Sequence, residues 1–88
     1  MKNKYTFEKM ELDDTILAVP IGESASDLHA VLTLNEEAMR ILELLQEETT
    51  EERIVAQLLK EYTGKKEEIE PLVKSFIEQL RQEGLLEE

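Results

Sequence analysis

The residue types that carry out most enzyme chemistry are scarce in this 88-residue chain. It contains no cysteine, which excludes a disulfide, a thiolate metal ligand and a thiol nucleophile, and His29 is its only histidine. A lone imidazole without a second ligand or a paired acid at strand spacing makes neither a metal site nor an acid–base pair. Asp13 and Asp14 are adjacent carboxylates, but this pair is more typical of a turn than of a cation site. We therefore predict a protein that is not an enzyme and uses no metal or cofactor.

The charge of the chain argues against a nucleic-acid partner. Ten basic and 21 acidic residues give a formal net charge of −11, and the part from Asn35 onward holds 15 glutamates against seven lysines and arginines. Affinity for nucleic acids comes largely from Lys and Arg contacts to phosphate, so this surface has the wrong sign. No apolar run approaches the roughly 20 residues that span a bilayer, and the N-terminus lacks a signal-peptide pattern. We expect a cytoplasmic protein with no membrane partner.

Three strand-like segments occupy the first third of the chain. Residues 5–12 (YTFEKMEL) alternate only in part, whereas 15–21 (TILAVPI) are rich in β-branched and apolar residues. Residues 28–34 (LHAVLTL) alternate throughout, with the even-numbered positions as the expected core face. The pattern predicts short strands joined by a turn and then by a longer loop.

Helical signals begin at Asn35, a good N-cap, and the first apolar stripe predicts a helix that ends near Gln46. The spacing of Thr49 and Glu52 matches a capping box, which predicts that Thr49 starts the second helix. Gly64 is expected to end that helix.

The third helix carries an apolar stripe at intervals of three and four residues from Ile69 to Leu80. Because proline is tolerated only in the first turn of a helix, Pro71 predicts a start near Glu68. Gly84 predicts the C-terminal stop, after which two leucines fold back under the last turn. The whole chain, residues 1–88, reads as one α+β domain with residues 1–4 flexible.

Several segments in this order resemble the PqqD family, whose founding member assists biosynthesis of the cofactor pyrroloquinoline quinone. The resemblance runs from about Phe7 to Leu86, and none of its segments is a catalytic signature. The segments are Val19-Pro20-Ile21-Gly22, Leu34-Asn35-Glu36, Thr49-Thr50-Glu51-Glu52 and Gly84-Leu85-Leu86. Where many relatives have Thr-Gly or Thr-Ala after the first helix cap, this chain has Glu37-Ala38.

The resemblance implies a winged-helix-like domain, a three-stranded antiparallel sheet followed by three helices, of the kind called a RiPP recognition element. Such domains bind the leader of a ribosomally made precursor peptide. They present the rest of the peptide to a modifying enzyme, commonly a radical SAM maturase with a SPASM extension. The partners expected for this chain are therefore a leader peptide and such a maturase.

The last strand of a three-stranded meander has a neighbour on one side only, so its other edge can pair with an extended peptide. The segment LHAVLTL has no Pro, Lys or Arg to protect that edge. Since the family places the third helix beside this edge, the margin of that helix is expected to line a groove, although Leu72 and Phe76 are expected first of all to be core residues. The candidate peptide-binding residues are His29, Ala30, Val31, Leu32, Thr33, Leu72, Ser75, Phe76 and Gln79.

Two other functions stay open at this stage. A winged-helix regulator that binds DNA shares the fold type, although acidic residues dominate the starts TTEER and IEPLVK of the second and third helices. A small homodimer is the other, formed through the free strand edge or the helix stripe.

Overall fold

The computed structural model describes residues 1–22 and 31–88. Its elements are β1 (Lys2–Asn3), β2 (Thr6–Leu12), β3 (Thr15–Ile21), β4 (Leu32–Leu34), α1 (Glu36–Leu44), α2 (Glu51–Glu61), α3 (Lys66–Gln82) and β5 (Leu86–Glu87). Strands β2, β3 and β4 form an antiparallel sheet in that order, and β1 pairs with β5. The three-stranded sheet followed by three helices confirms the predicted α+β fold. No helix in the described ranges is long and apolar enough to cross a membrane.

The hairpin of β2 and β3 turns at Asp13 and Asp14, as predicted. Asp13 has a φ of 55°, a left-handed conformation in which aspartate is several-fold enriched among non-glycine residues. Phe7 pairs with Pro20, and Ala18 is the β3 residue opposite Lys9. Phe7 and Ala18 are buried, so these pairs mark the face of the sheet that packs on the helices.

Strand β4 covers the end of the third predicted strand, and residues 28–30 of that prediction lie outside the described residues. Within β4, Leu32 and Leu34 pack against the core, whereas Thr33 is exposed. The predicted core face of even-numbered residues is thus confirmed for the part that the structure describes.

The caps of the first two helices come from polar side chains. The Asn35 side chain accepts a hydrogen bond from the Ala38 N–H at 2.8 Å, as the sequence predicts. The cap of α2 is Thr50, whose hydroxyl accepts from the Arg53 N–H at 3.2 Å, so the prediction of Thr49 was wrong by one residue. The Thr49 N–H instead donates to the Met1 carbonyl at 3.0 Å, which holds Thr49 outside the helix.

Helix α3 begins at Lys66, two residues before the predicted start at Glu68, and it contains Pro71 in its second turn. The prediction was wrong because Pro71 is exposed. Proline has no N–H to donate to the carbonyl one turn earlier in the helix, but at this exposed position water can bond that carbonyl instead. The predicted stop is confirmed: Gly84 has a φ of 72°. The Leu85 N–H donates to the Leu80 carbonyl at 2.9 Å and the Gly84 N–H to the Arg81 carbonyl at 3.1 Å, the pattern of a Schellman motif.

The β1–β5 pair brings the two ends of the chain together beneath α1. Asn3 is buried, its N–H donates to the Leu45 carbonyl at 2.7 Å, and its side-chain amide donates to the Leu42 carbonyl at 2.9 Å. No local pattern in the sequence indicates this pair, because its residues are more than eighty positions apart. The expected flexibility of residues 1–4 concerns motion and stays a prediction.

Candidate functional site

Strand β4 is an edge strand of the three-stranded sheet. It pairs with β3 through Ile16 and Leu34, Leu17 and Thr33, and Ala18 and Leu32. In the described ranges no strand pairs with its other side. Val31, immediately before β4, is 54% exposed, so an apolar side chain stands in solvent beside an unpaired backbone edge.

The four candidate residues of α3 share one side of that helix, because they are spaced at three, four and seven positions. Leu72, Ser75 and Gln79 are exposed, whereas Phe76 is 9% exposed and belongs to the core. The expectation that Leu72 is a core residue was wrong, since it is 38% exposed. It precedes the buried Val73 by one position, about 100° around the helix, and therefore lies on the flank of the buried stripe.

In the described residues the exposed parts of both halves of the candidate site are accessible, but α3 is not among the main packing neighbours of β4. Strand β4 packs mainly on β3 and α1, whereas α3 packs mainly on α2 and α1. His29 and Ala30 lie outside the described residues. The assignment of these residues to a peptide site stays a prediction.

A small cavity of about 170 Å³ lies where the start of α1, the end of α2 and the start of α3 meet. Its lining residues are Glu37, Leu58, Tyr62, Thr63, Gly64, Glu68, Ile69 and Leu72. Of these residues, only Leu72 was predicted from the sequence as a peptide-binding candidate. The spacing of Glu68, Ile69 and Leu72, four and three positions apart, indicates that they share a helix face, but their proximity to α1 and α2 is a tertiary feature.

A charged cluster beside this cavity links α1 to α2. The Arg40 guanidinium donates to both carboxylate oxygens of Glu61 at 2.8 Å, and the Gln57 amide donates to one of them at 2.7 Å. These bonds, the one from Arg40 above all, lower the pKa of Glu61 to about 2. The pKa of Tyr62 is raised, first by burial of the phenol and then by the charge of Glu37.

The outer face of the sheet is unusually apolar. The strand register places Met10 opposite Leu17 and Thr6 opposite Ile21 on this face, and Met10, Leu12 and Ile21 are 48%, 57% and 41% exposed. Antiparallel sheets commonly carry polar residues on the side away from the core. On this face the apolar side chains leave an uncovered patch of the kind that often contacts another molecule.

The described surface also has a larger depression on the other side of α3. A wider groove of about 740 Å³ runs between α2 and α3 on the opposite flank of α3, with Val55, Leu59 and Pro71 among its apolar residues and charges of both signs on its rim. Among the described residues, no group of three or more His, Asp or Glu side chains is placed to hold a metal ion.

Comparisons with known proteins agree with this description. The family profile described as "Coenzyme PQQ synthesis protein D (PqqD)" matches residues 23–86, well over half of the chain. A solved structure described as "TbiB1 in Complex with the TbiA(beta) Leader Peptide" is similar in fold, with a TM-score of 0.70 and 24% sequence identity. The similarity covers 99% of this chain and 95% of that chain. No match was found among curated proteins.

Proposed function

Because this chain belongs to the PqqD family, we propose that it is a RiPP recognition element, a non-catalytic adaptor that binds the leader of a ribosomally made precursor peptide. The observation that carries the proposal is that β4, in a member of this family, is an edge strand with no partner on its outer side among the described residues. The exposed side of α3 and the structural similarity to a protein solved with a leader peptide support it further.

The leader binds by strand addition. It extends the sheet as a fourth strand beside β4, and its backbone pairs along residues 29–33, the segment His29, Ala30, Val31, Leu32 and Thr33. Backbone hydrogen bonds give this contact affinity but little sequence preference. Selectivity comes from leader side chains that point toward α3, where Leu72 and the edge of Phe76 offer apolar contact and Ser75 and Gln79 offer polar contact.

The bound precursor is then presented to a radical SAM maturase with a SPASM extension. The helical part of the chain, from Asn35 onward, carries an excess of eight negative charges, since it contains 15 glutamates and seven lysines and arginines. Such a field speeds encounter with a basic partner more than it strengthens the final complex. Association with the maturase or the leader is therefore expected to slow as ionic strength rises.

A proline at Val31 tests strand addition. Val31 immediately precedes β4 and lies outside its paired register with β3, so Val31→Pro removes one backbone N–H from the segment proposed to pair with the leader. The matched control is Val31→Thr, which keeps the N–H and the branched shape. The probe is a synthetic leader segment from a short precursor gene next to the gene for this chain, and calorimetry measures its Kd.

Strand addition predicts that Val31→Pro raises the Kd roughly three- to tenfold while Val31→Thr leaves it near the original value. Circular dichroism must show that both variants keep the fold. A folded Val31→Pro protein that binds the leader with unchanged Kd would contradict strand addition at this edge.

A further inference from the structure

The cavity of about 170 Å³ at the junction of the three helices lies next to the proposed path of the leader. Strand β4 ends at Leu34, Asn35 caps α1, and Glu37 in the first turn of α1 lines the cavity. Leu72 belongs both to the cavity and to the candidate side of α3. The cavity therefore shares Leu72 with the candidate side of α3, and Glu37 in its wall is three residues beyond the end of β4.

The size and walls of the cavity fit one long side chain. Its volume of about 170 Å³ is below the roughly 300–1,000 Å³ of small-molecule sites. Leu58, which is 1% exposed, forms an apolar wall together with Ile69 and the half-buried ring of Tyr62. Gly64 packs closely on this wall, because a methyl group there would lie only 3.3 Å from the Ile69 Cδ1 atom.

The charge at the cavity is negative. Glu37 and Glu68 are the only Asp, Glu, Lys or Arg residues in its lining, and in the described ranges neither makes an ion pair with a basic side chain. Arg40, whose charge acts on the Tyr62 phenol, is already paired with Glu61. An apolar ligand would displace water from the two carboxylates without replacing the hydrogen bonds that the water made.

We propose that this cavity is a subsite for a lysine or arginine side chain of the leader. The aliphatic stem lies between Leu72, Ile69 and the ring of Tyr62, and the cationic head reaches the carboxylates of Glu37 and Glu68. Long basic side chains bind in this amphipathic manner, with the stem on apolar surface and the charge at the rim. Only the assignment of the side chain to a leader rests on the proposed function; the preference of the cavity for a basic side chain does not.

The test uses small probes on the whole chain, so it does not depend on the leader. N-acetyl-arginine amide, N-acetyl-lysine amide and N-acetyl-norleucine amide are titrated while NMR follows the methyl groups of Leu58, Ile69 and Leu72. The arginine or the lysine probe is expected to shift these signals with a Kd on the order of 1–10 mM. The uncharged norleucine probe is expected to bind at least about threefold more weakly.

A pair of double variants isolates the two carboxylates. Glu37→Gln with Glu68→Gln removes two charges at the cavity. Glu36→Gln with Glu67→Gln removes two charges from the neighbouring positions, which do not line it. The first is expected to raise the Kd of the basic probe roughly three- to tenfold, and the second to leave it within about twofold.

Equal binding of norleucine and the basic probes, equal effects of the two double variants, or no shift in the folded chain would each overturn the subsite. Failure of the proposed function looks different. If the basic probes bind but the precursor leader does not, the subsite is supported and the proposed leader-binding function is refuted. If the leader binds and the first double variant leaves both probe and leader binding unchanged, only the subsite falls.

Discussion

Leu72 is the residue at which stability and binding can be separated most cleanly. It is 38% exposed, so folding buries most of its side chain and leaves the rest for a ligand. Leu72→Ala removes three carbon atoms, worth about 2.4 kcal/mol when they are fully buried. We divide this free energy in proportion to the buried and exposed fractions of the side chain. Burial on folding then accounts for about 1.5 kcal/mol, and contact with a bound leader can supply about 0.9 kcal/mol.

These shares predict two separate measurements. Urea unfolding followed by circular dichroism should show a loss of about 1.5 kcal/mol in the free energy of unfolding of Leu72→Ala. Calorimetry with the synthetic leader should show a Kd that rises about four- to fivefold, the equivalent of 0.9 kcal/mol. Phe76→Ala would be a poorer probe, because deletion of a core phenylalanine costs about 3 to 5 kcal/mol of stability.

The matched control is Leu59→Ala. Leu59 is also only partly covered by the fold, but it lines the groove between α2 and α3 on the other flank of α3. It should lower stability by a similar amount and leave leader binding unchanged. The reasoning fails if Leu72→Ala binds the leader as tightly as the original chain, or if Leu59→Ala weakens binding equally.

Two further predictions concern contacts that hold the scaffold. The bonds from Arg40 and Gln57 lower the pKa of Glu61 to about 2, so their stabilising effect is present above the ordinary pKa near 4.5 and is lost as the pH falls toward 2. The urea midpoints of the original chain and Arg40→Met should therefore differ at pH 7 and converge near pH 2, whereas a constant gap would contradict this link. Asn3→Ala removes the buried amide bond to the Leu42 carbonyl and should cost about 1 kcal/mol in urea unfolding, the low end for such a loss. The low end applies because the change also removes the Asn3 Oδ1 atom, which has no partner among the described residues; an unchanged midpoint would show that this bond does not stabilise the fold.

The features that could be predicted from the sequence are those whose cause lies within a few residues. Asn35 reaches an N–H three positions ahead, Asp13 and Asp14 form a turn between adjacent strands, and Gly84 supplies the left-handed residue of a helix end. Each depends on backbone geometry that neighbouring residues fix by themselves. The type and order of β2, β3, β4 and the three helices followed from these signals and from the apolar periods, whereas β1 and β5 were not predicted.

The errors have tertiary causes. Thr49 has the sequence of a cap, but its backbone is held by Met1, so Thr50 caps instead. Pro71 lies farther inside α3 than local rules allow, because that side of the helix faces water. The apolar period of α3 cannot tell Leu72 from Val73, since both fit the stripe and only the neighbouring helices decide which one is covered.

The sequence by itself determined that this is a small acidic α+β domain without cysteine chemistry, because composition, caps and periodicity are local properties of the chain, and the order of its short segments resembles the PqqD family. The tertiary structure decided which described strand lies at the edge of the sheet, which side of α3 is exposed, and that Glu37, Tyr62 and Leu72 line one cavity. Those features depend on elements far apart in the chain meeting in space. No short-range pattern specifies which surfaces the packing leaves open.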